Sequence, residues 1–94
     1  MKRMRRSASS SQCRLREALK REMRRMGDKS PSVSVRSNRP IRGTFHVKVV
    51  SEAFRKMTLQ ERYIIIGNTL IYGRIRVSDF DRVVRTELWA PGEE

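Results

Sequence analysis

The chain has 94 residues, a formal net charge of +12 and a hydrophobic content of 37%. This length allows one small domain with a thin two-layer core, and the charge favours a polyanionic partner such as nucleic acid, a ribosome, an anionic membrane or an acidic protein. With one cysteine and one histidine the sequence excludes an internal disulfide and a self-contained transition-metal site, and no apolar run approaches the ~20 residues of a membrane helix.

Residues 1–12 contain arginine, lysine and serine but no acidic residue. We predict a basic Arg/Ser-rich tail here, as a possible targeting segment, followed by a single domain over residues 13–94. This composition is typical of a mitochondrial presequence and favours a mitochondrial location. The alternative is a cytoplasmic or nuclear protein whose tail contacts nucleic acid or acts as a nuclear signal.

Apolar residues at spacings of four, four and three predict an amphipathic helix over residues 13–26, with Gly27 at its C-cap. Two alternating stretches, residues 31–37 and 44–50, predict strands separated by a loop over residues 38–43. The second strand places its apolar side chains on one face and His46 and Lys48 on the other.

Residues 51–57 predict a single turn, and Thr58 with Glu61 forms a capping-box pattern that opens a second helix, which we expect to run to about Ile71 and to end before Gly73. Its predicted core stripe is Leu59, Tyr63, Ile66 and Leu70. We predict a loop over residues 74–79.

A third strand is predicted over residues 81–89, with Val84, Thr86 and Leu88 alternating against Val83, Arg85 and Glu87. The predicted fold is α+β, in the order α-β-β-(turn)-α-β, with two helices on one face of a three-stranded sheet. The other face of the sheet is expected to be wet and basic, with Ser34, Arg36, His46, Lys48 and Arg85 on it.

The stretch "TFHVKVVSEAFRKMTLQERYIIIGNTL" (44–70) resembles the signature of the BolA-like family. In that family a strand ending in "VVS" enters a short "xAF" turn, and a second helix follows near "SLxxRHRxVYxxL". The residues that carry the match are Val49, Val50, Ser51, Ala53, Phe54, Leu59, Arg62, Ile66 and Leu70. Weaker similarity at both ends extends it over roughly residues 14–93, and the family's α+β fold is related to the type II KH arrangement.

The resemblance implies a non-enzymatic partner of monothiol glutaredoxins in the trafficking or regulation of [2Fe–2S] clusters, often in mitochondria, with the cluster shared between the two proteins. It also implies histidine ligands, but the family's usual histidine positions fall on Thr44, Tyr63 and Arg82. An arginine has no lone pair to offer iron, and a threonine is a poor ligand for a soft cluster. The remaining weak candidates for a metal ligand are His46 and Cys13. The alternative for His46 is a solvated histidine on a strand, and the alternative for Cys13 is a cysteine at the start of a helix without a functional role.

Two surfaces are candidates for binding. A phosphate-tracking surface is predicted at basic residues, namely Arg36, Arg39, Arg42, Lys48, Arg55, Lys56, Arg62, Arg82 and Arg85, for which ordinary solvated charge is the alternative. A protein interface is predicted at Ile64, Ile65 and Ile71, for which burial under the first helix is the alternative.

No carboxylate pair, nucleophile–base set or glycine-rich phosphate loop is apparent, so we expect no enzyme activity and no small-molecule substrate. The first functional hypothesis is a BolA-like, glutaredoxin-binding protein of iron–sulfur homeostasis, in which the missing histidines argue against cluster ligation by this chain. One alternative is a basic RNA-binding component of a ribonucleoprotein, such as the mitochondrial ribosome or its assembly machinery. Another is a BolA-type nucleic-acid-binding regulator.

Overall fold

The computed structural model describes residues 7–37, 43–72 and 81–94. The elements follow the predicted order: α1 (Ser7–Arg25), β1 (Ser32–Ser37), β2 (Phe45–Val50), a short 3-10 turn (Glu52–Phe54), α2 (Leu59–Tyr72) and β3 (Val83–Trp89). The predicted α+β class is therefore confirmed. Helix α1 begins at Ser7 rather than at Cys13, so part of the predicted tail is helical. Residues 38–42 of the predicted loop over residues 38–43 lie outside the described residues, as do the predicted loop over residues 74–79 and the predicted helix end at Gly73.

The three strands form one mixed sheet in the order β1-β2-β3. Strand β2 is antiparallel to β1, with Val35 opposite Val47 and Arg36 opposite His46. It is parallel to β3. A parallel connection has to return the chain to the same end of the sheet, and this return contains the 3-10 turn and α2.

One face of the sheet carries the core. The apolar residues buried there come from α1, all three strands, the turn and α2, and include Leu15, Leu19, Met23, Val33, Phe45, Val47, Val49, Phe54, Ile66, Leu70 and Leu88. Because both helices contribute to this one cluster, they cover the same face, as predicted. The opposite face of the sheet is left without a covering layer among the described residues.

Helix α1 ends as its sequence predicts. Gly27 has a φ of +105°, a left-handed conformation that glycine adopts without steric cost. The amide of Asp28 donates to the carbonyl of Met23 at 3.1 Å, and the amide of Gly27 donates to the carbonyl of Arg24 at 3.0 Å. These two bonds form a Schellman motif, which satisfies the last carbonyls of the helix.

The side chain of Asp28 links this helix end to the turn after β2. Its Oδ2 accepts from the Ser51 hydroxyl at 2.7 Å and from the Glu52 amide at 3.0 Å, and its Oδ1 accepts from the Ser30 amide at 2.9 Å. Desolvation alone would raise the pKa of Asp28, but these three hydrogen bonds outweigh it and lower the pKa below its usual range.

The capping box at the start of α2 is confirmed. The Thr58 amide donates to Oε1 of Glu61 at 2.8 Å, and the Glu61 amide donates to Oγ1 of Thr58 at 3.2 Å. The predicted core stripe of this helix is partly wrong. Ile66 and Leu70 are buried, but Leu59 and Tyr63 are exposed.

Arg62 takes the place in the core that the sequence assigns to its neighbours. It is only 7% exposed, and its guanidinium lies 5.6 Å from the centroid of the Phe54 ring. Its Nη1 donates to the Leu88 carbonyl at 3.1 Å and to Oε1 of Glu93 at 2.7 Å. The helix therefore turns its polar residue inward because a ring, a carbonyl and a carboxylate stabilise the buried charge.

The predicted alternation of β3 fails at its start. The register between β2 and β3 shifts, since Phe45 is paired with Val83 and His46 with Arg85. Val84 is the extra residue of this irregularity and is 51% exposed, whereas Val83 packs against the core. Beyond it Leu88 is buried as predicted, because a bulge inverts the alternation only up to the point where it occurs.

Side chains from the helices contact the carbonyls of the two outer strands. Nε2 of Gln12 in α1 donates to the carbonyl of Val35 in β1 at 3.2 Å. The hydroxyl of Tyr63 in α2 lies 3.4 Å from the carbonyl of Thr86 in β3. Two residues further along this strand, the carbonyl of Leu88 accepts from Arg62.

Candidate functional site

The uncovered face of the sheet carries a regular grid of polar side chains. The register sets Arg36, His46 and Arg85 side by side across the three strands. One row further along, Lys48 lies between Ser34 and Glu87. All five residues predicted on this face are present there, so the sequence correctly predicts which side of each strand is open.

The face is not uniformly basic, however, because acidic residues lie within it. A shallow pocket of about 340 Å³ includes Arg36, His46 and Lys48 together with Glu87 and Glu94. The prediction of a wet face is right and the prediction of a basic one is incomplete. Glu94 comes from the C-terminal tail, and no local pattern in the sequence indicates its position.

His46 has a carboxylate neighbour that the sequence analysis missed. Its Nε2 lies 2.6 Å from Oε2 of Glu87, but this nitrogen is buried and lacks an aligned hydrogen bond. The two side chains are therefore in close contact without the alignment of a hydrogen bond. The pairing follows from the parallel register of β2 and β3, which local sequence patterns do not reveal.

Glu87 is held from two sides. Nε1 of Trp89 donates to Oε1 of Glu87 at 3.1 Å. This hydrogen bond lowers the pKa of Glu87, partial desolvation opposes the shift, and His46 and Arg85 lower the pKa further. Glu87 is thus a carboxylate in a field of positive charge, and it neutralises part of the open face.

The predicted metal ligands do not come together. His46 lies on the open face of the sheet, whereas Cys13 is exposed on α1, which packs on the other face. Among the described residues no group of three or more His, Cys, Asp or Glu side chains is arranged to hold a metal ion. His46 and Cys13, which lie on opposite sides of the sheet, therefore do not form a joint ligand set.

Two of the positions that the family resemblance assigns to histidines do lie side by side. The amide of Phe45 donates to the carbonyl of Arg82 at 2.7 Å, so Thr44 and Arg82 flank one hydrogen bond at the same end of the parallel strands β2 and β3. The third position, Tyr63, lies on α2 and is exposed. We call the first location the strand-start site, comprising Thr44 and Arg82.

The predicted phosphate-binding residues are spread over several surfaces. Arg36, Lys48 and Arg85 share the open face, while Arg55 and Lys56 follow the 3-10 turn. Arg55 is engaged with Glu52, through Nε to Oε1 at 2.6 Å, and with the Pro91 carbonyl at 2.9 Å. Arg62 does not belong to any such surface, because it is buried and paired with Glu93. Arg39 and Arg42 lie outside the described residues.

The three isoleucines of the predicted interface separate into two groups. Ile64 and Ile71 are 54% and 57% exposed, whereas Ile65 packs against the core. The prediction of an exposed interface residue is therefore wrong for Ile65, which is partly buried on the inner flank of α2. Ile64 and Ile65 both line a groove of about 500 Å³ between α1 and α2, whose other residues include Ala18, Arg21, Arg25 and Tyr72. We call this the helix groove.

No family model, curated protein or solved structure matches this chain. The resemblance to the BolA-like family therefore stays a prediction from the residues. In the described parts of the chain, no helix is both long enough and apolar enough to cross a membrane.

Proposed function

We propose that this chain is a divergent BolA-like protein that acts without catalysis, by contact with a monothiol glutaredoxin in iron–sulfur cluster trafficking or regulation. The observation that carries the proposal is the structural role of the residues that give the resemblance. Most of them are internal supports of the fold: the buried members are Val49, Ser51, Phe54, Arg62, Ile66 and Leu70.

These residues form one connected unit. Ser51 accepts from the Ala53 amide at 3.1 Å and donates to Asp28, which fixes the entry into the turn. Phe54 then provides the ring on which Arg62 lies. A set of residues that is needed together to make one turn and one helix supports descent from a common fold more strongly than the same residues scattered over the surface would.

The α+β class and the three-stranded mixed sheet support the proposal. The finer type II KH-like arrangement that the resemblance implies is part of what we propose. A mitochondrial location is part of the proposal and rests on the composition of residues 1–12.

We assign the glutaredoxin contact to the strand-start site. The family's histidine positions fall on Thr44 and Arg82 there, and Arg82 is exposed. Neither side chain is a suitable ligand for iron, and the nearest histidine, His46, has its Nε2 against Glu87. The proposed role is therefore a contact between proteins, with any [2Fe–2S] cluster ligated by the glutaredoxin and glutathione.

Titration of the purified chain with a cluster-loaded monothiol glutaredoxin tests this proposal. We expect a stoichiometric complex by calorimetry, with a visible circular dichroism spectrum that His46→Ala leaves unchanged. The charge reversal Arg82→Glu should weaken the complex at least about tenfold, as for a charged residue at an interface. The matched reversal Arg24→Glu, at an exposed residue of α1, should not.

Absence of a complex would reject the glutaredoxin function. A visible spectrum that changes in His46→Ala would show that this histidine ligates the cluster, contrary to the role proposed here.

A second candidate is a structural component of a ribonucleoprotein, and the distribution of charge favours it. Exposed basic residues lie on both layers of the domain: Arg16, Arg21 and Arg24 on the helix layer, and Arg36 and Arg85 on the sheet. Contacts on opposite sides suit a small protein surrounded by folded RNA better than one lying along a single duplex.

Filter binding to a structured RNA and to duplex DNA over a range of salt concentrations tests the second candidate. Tight RNA binding with a steep salt dependence would favour it. Preference for duplex DNA would point to a BolA-type nucleic-acid-binding regulator. Weak binding to both the RNA and the DNA at physiological salt would argue against the ribonucleoprotein function and against the regulator function.

A further inference from the structure

The helix groove has two unlike walls. The α2 wall, from Tyr63 to Tyr72, contains no charged side chain in its sequence. It presents Ile64, Ile65 and Tyr72 to the groove, together with the uncharged polar residues Asn68 and Thr69. The α1 wall presents Arg21 and Arg25 beside Ala18. The groove therefore favours a ligand that is uncharged and mainly apolar toward α2 and negatively charged toward α1.

The charge of the α1 wall remains positive after its own ion pair is considered. Glu22 lies in the groove, but Arg25 already binds it, with Nε of Arg25 3.0 Å from Oε1 of Glu22. Arg21 is exposed one turn before Arg25. Electrostatic complementarity across an interface selects partners of opposite charge, so this wall favours carboxylates.

We propose that the helix groove is the docking site for an acidic amphipathic helix of a partner protein. Such a helix would lie between α1 and α2, with its apolar stripe on Ile64 and Ile65 and its acidic flank on Arg21. This mode of recognition places apolar anchors at helical spacing in a groove between two helices. Ile71, seven residues after Ile64 and exposed on the same helix, extends the apolar surface along which the partner would lie.

Two other occupants fit less well. A second copy of this chain carries a net charge of +12, so its approach would bring like charges together. Nucleic acid would find few cations in the groove and would leave its phosphates near an apolar floor. The inference is independent of the glutaredoxin contact, which we assign to the strand-start site.

A pair of synthetic helical peptides tests the proposal. Both carry leucines at i, i+3, i+4 and i+7; one has glutamates on the flanks and the other has lysines. Fluorescence anisotropy with the full chain should show binding of the glutamate peptide and at least about tenfold weaker binding of the lysine peptide. Raising the salt should narrow this difference, since exposed charges are screened.

Variants then locate the site. Ile64→Lys should weaken binding of the glutamate peptide about 30-fold, from the loss of one buried aliphatic contact, and Arg21→Glu by about fivefold at low salt. Val84→Lys is the matched control, because Val84 is similarly exposed but lies on β3. It should bind the peptide as the unmodified chain does. Far-UV circular dichroism and thermal melting verify that each variant is folded.

Equal binding of the two peptides, or unchanged binding by folded Ile64→Lys, would overturn the proposal. So would a concentration-dependent dimer that the glutamate peptide disrupts, since the groove would then belong to a second copy. Displacement of the peptide by an RNA oligonucleotide whose own affinity depends on Arg21 and not on Ile64 would assign the groove to nucleic acid instead. Because no glutaredoxin is present in these measurements, a negative result for the peptides does not bear on the proposed function. A negative result for the glutaredoxin likewise does not bear on the helix groove.

Discussion

Arg62 and Glu93 are joined by a two-point contact, in which Nη1 of Arg62 lies 2.7 Å from Oε1 of Glu93 and Nη2 lies 3.2 Å from Oε2. The guanidinium is inside the core, whereas the carboxylate side chain is 37% exposed. Glu93 Oε1 also accepts from the amide of Ala90 at 2.8 Å. The contact thus holds the segment after β3 against α2.

Replacing Arg62 tests how much this arrangement stabilises the fold. Arg62→Ala removes three hydrogen bonds and the packing of the buried side chain, so we expect the free energy of unfolding to fall by about 3 kcal/mol. Arg62→Met should cost about half as much, because methionine fills the volume without the desolvation penalty of a charge. Urea denaturation measures both, and a larger loss for methionine than for alanine would contradict this account.

The pair also gives the stability a pH dependence. The hydrogen bond from Arg62, followed by that from the Ala90 amide, lowers the pKa of Glu93 to about 2, from an ordinary value of 4.5. Because the folded pKa is the lower one, the stabilisation is fully present above about pH 4.5 and is lost progressively as the pH falls towards 2. Glu93→Gln should therefore be less stable than the unmodified chain at pH 6, and the difference should shrink through this window.

Thermal melts at a series of pH values measure that difference. The neighbouring substitution Glu94→Gln, which removes an exposed charge, serves as the control. A difference between Glu93→Gln and the unmodified chain that stays constant down to pH 2 would be inconsistent with a lowered pKa at Glu93.

Asp28 is expected to be the main local support of the turn after β2. Asp28→Ala leaves the Ser51 hydroxyl and the amides of Ser30 and Glu52 without their acceptor, and we expect a loss of about 1–2 kcal/mol. Asp28→Asn, which keeps one acceptor oxygen, should lose less. Hydrogen exchange should locate the effect at the Glu52–Phe54 turn, whereas Lys29→Ala, at the exposed neighbour, should leave exchange there unchanged.

Trp89 provides an optical probe of the open sheet face. It is the only tryptophan in the chain, and its indole Nε1 donates to Glu87, whose pKa is lowered chiefly by that bond. We expect Trp89 fluorescence to titrate with a midpoint below 4.5, the ordinary glutamate value, and Glu87→Gln to abolish the titration. Circular dichroism at each pH verifies that the chain is still folded, and an identical titration in Glu87→Gln would contradict the assignment.

Local patterns in the sequence predict much of this fold. Gly27 predicts the end of α1, Thr58 and Glu61 predict the start of α2, and the alternation in residues 44–50 predicts the two faces of β2. Each of these features depends on residues within a few positions of one another. That proximity explains why the sequence alone is sufficient for them.

The failures involve contacts between distant residues. Leu59 and Tyr63 were predicted in the core because hydropathy favours them over Arg62, yet Arg62 is stabilised by Glu93, 31 residues away. The partner of His46, Glu87, is 41 positions later, and the bulge at Val84 exists only in the pairing of β2 with β3. On the open sheet face, the sequence therefore predicts the side chains of β1 and β2 and Arg85 of β3. It does not predict the pairing of Glu87 with His46 or the position of Glu94.

The side chains of Gln12, Tyr63 and Arg62 that contact the carbonyls of β1 and β3 limit what can join the sheet. A strand from another molecule would have to displace them to form a continuous ladder along either edge. Among the described residues, these contacts oppose the addition of an extended peptide to the sheet and the edge-to-edge pairing of two sheets. For the described residues, we therefore expect recognition through the side chains of the helices, the open face and the strand-start site, where a partner has to match shape and charge rather than backbone.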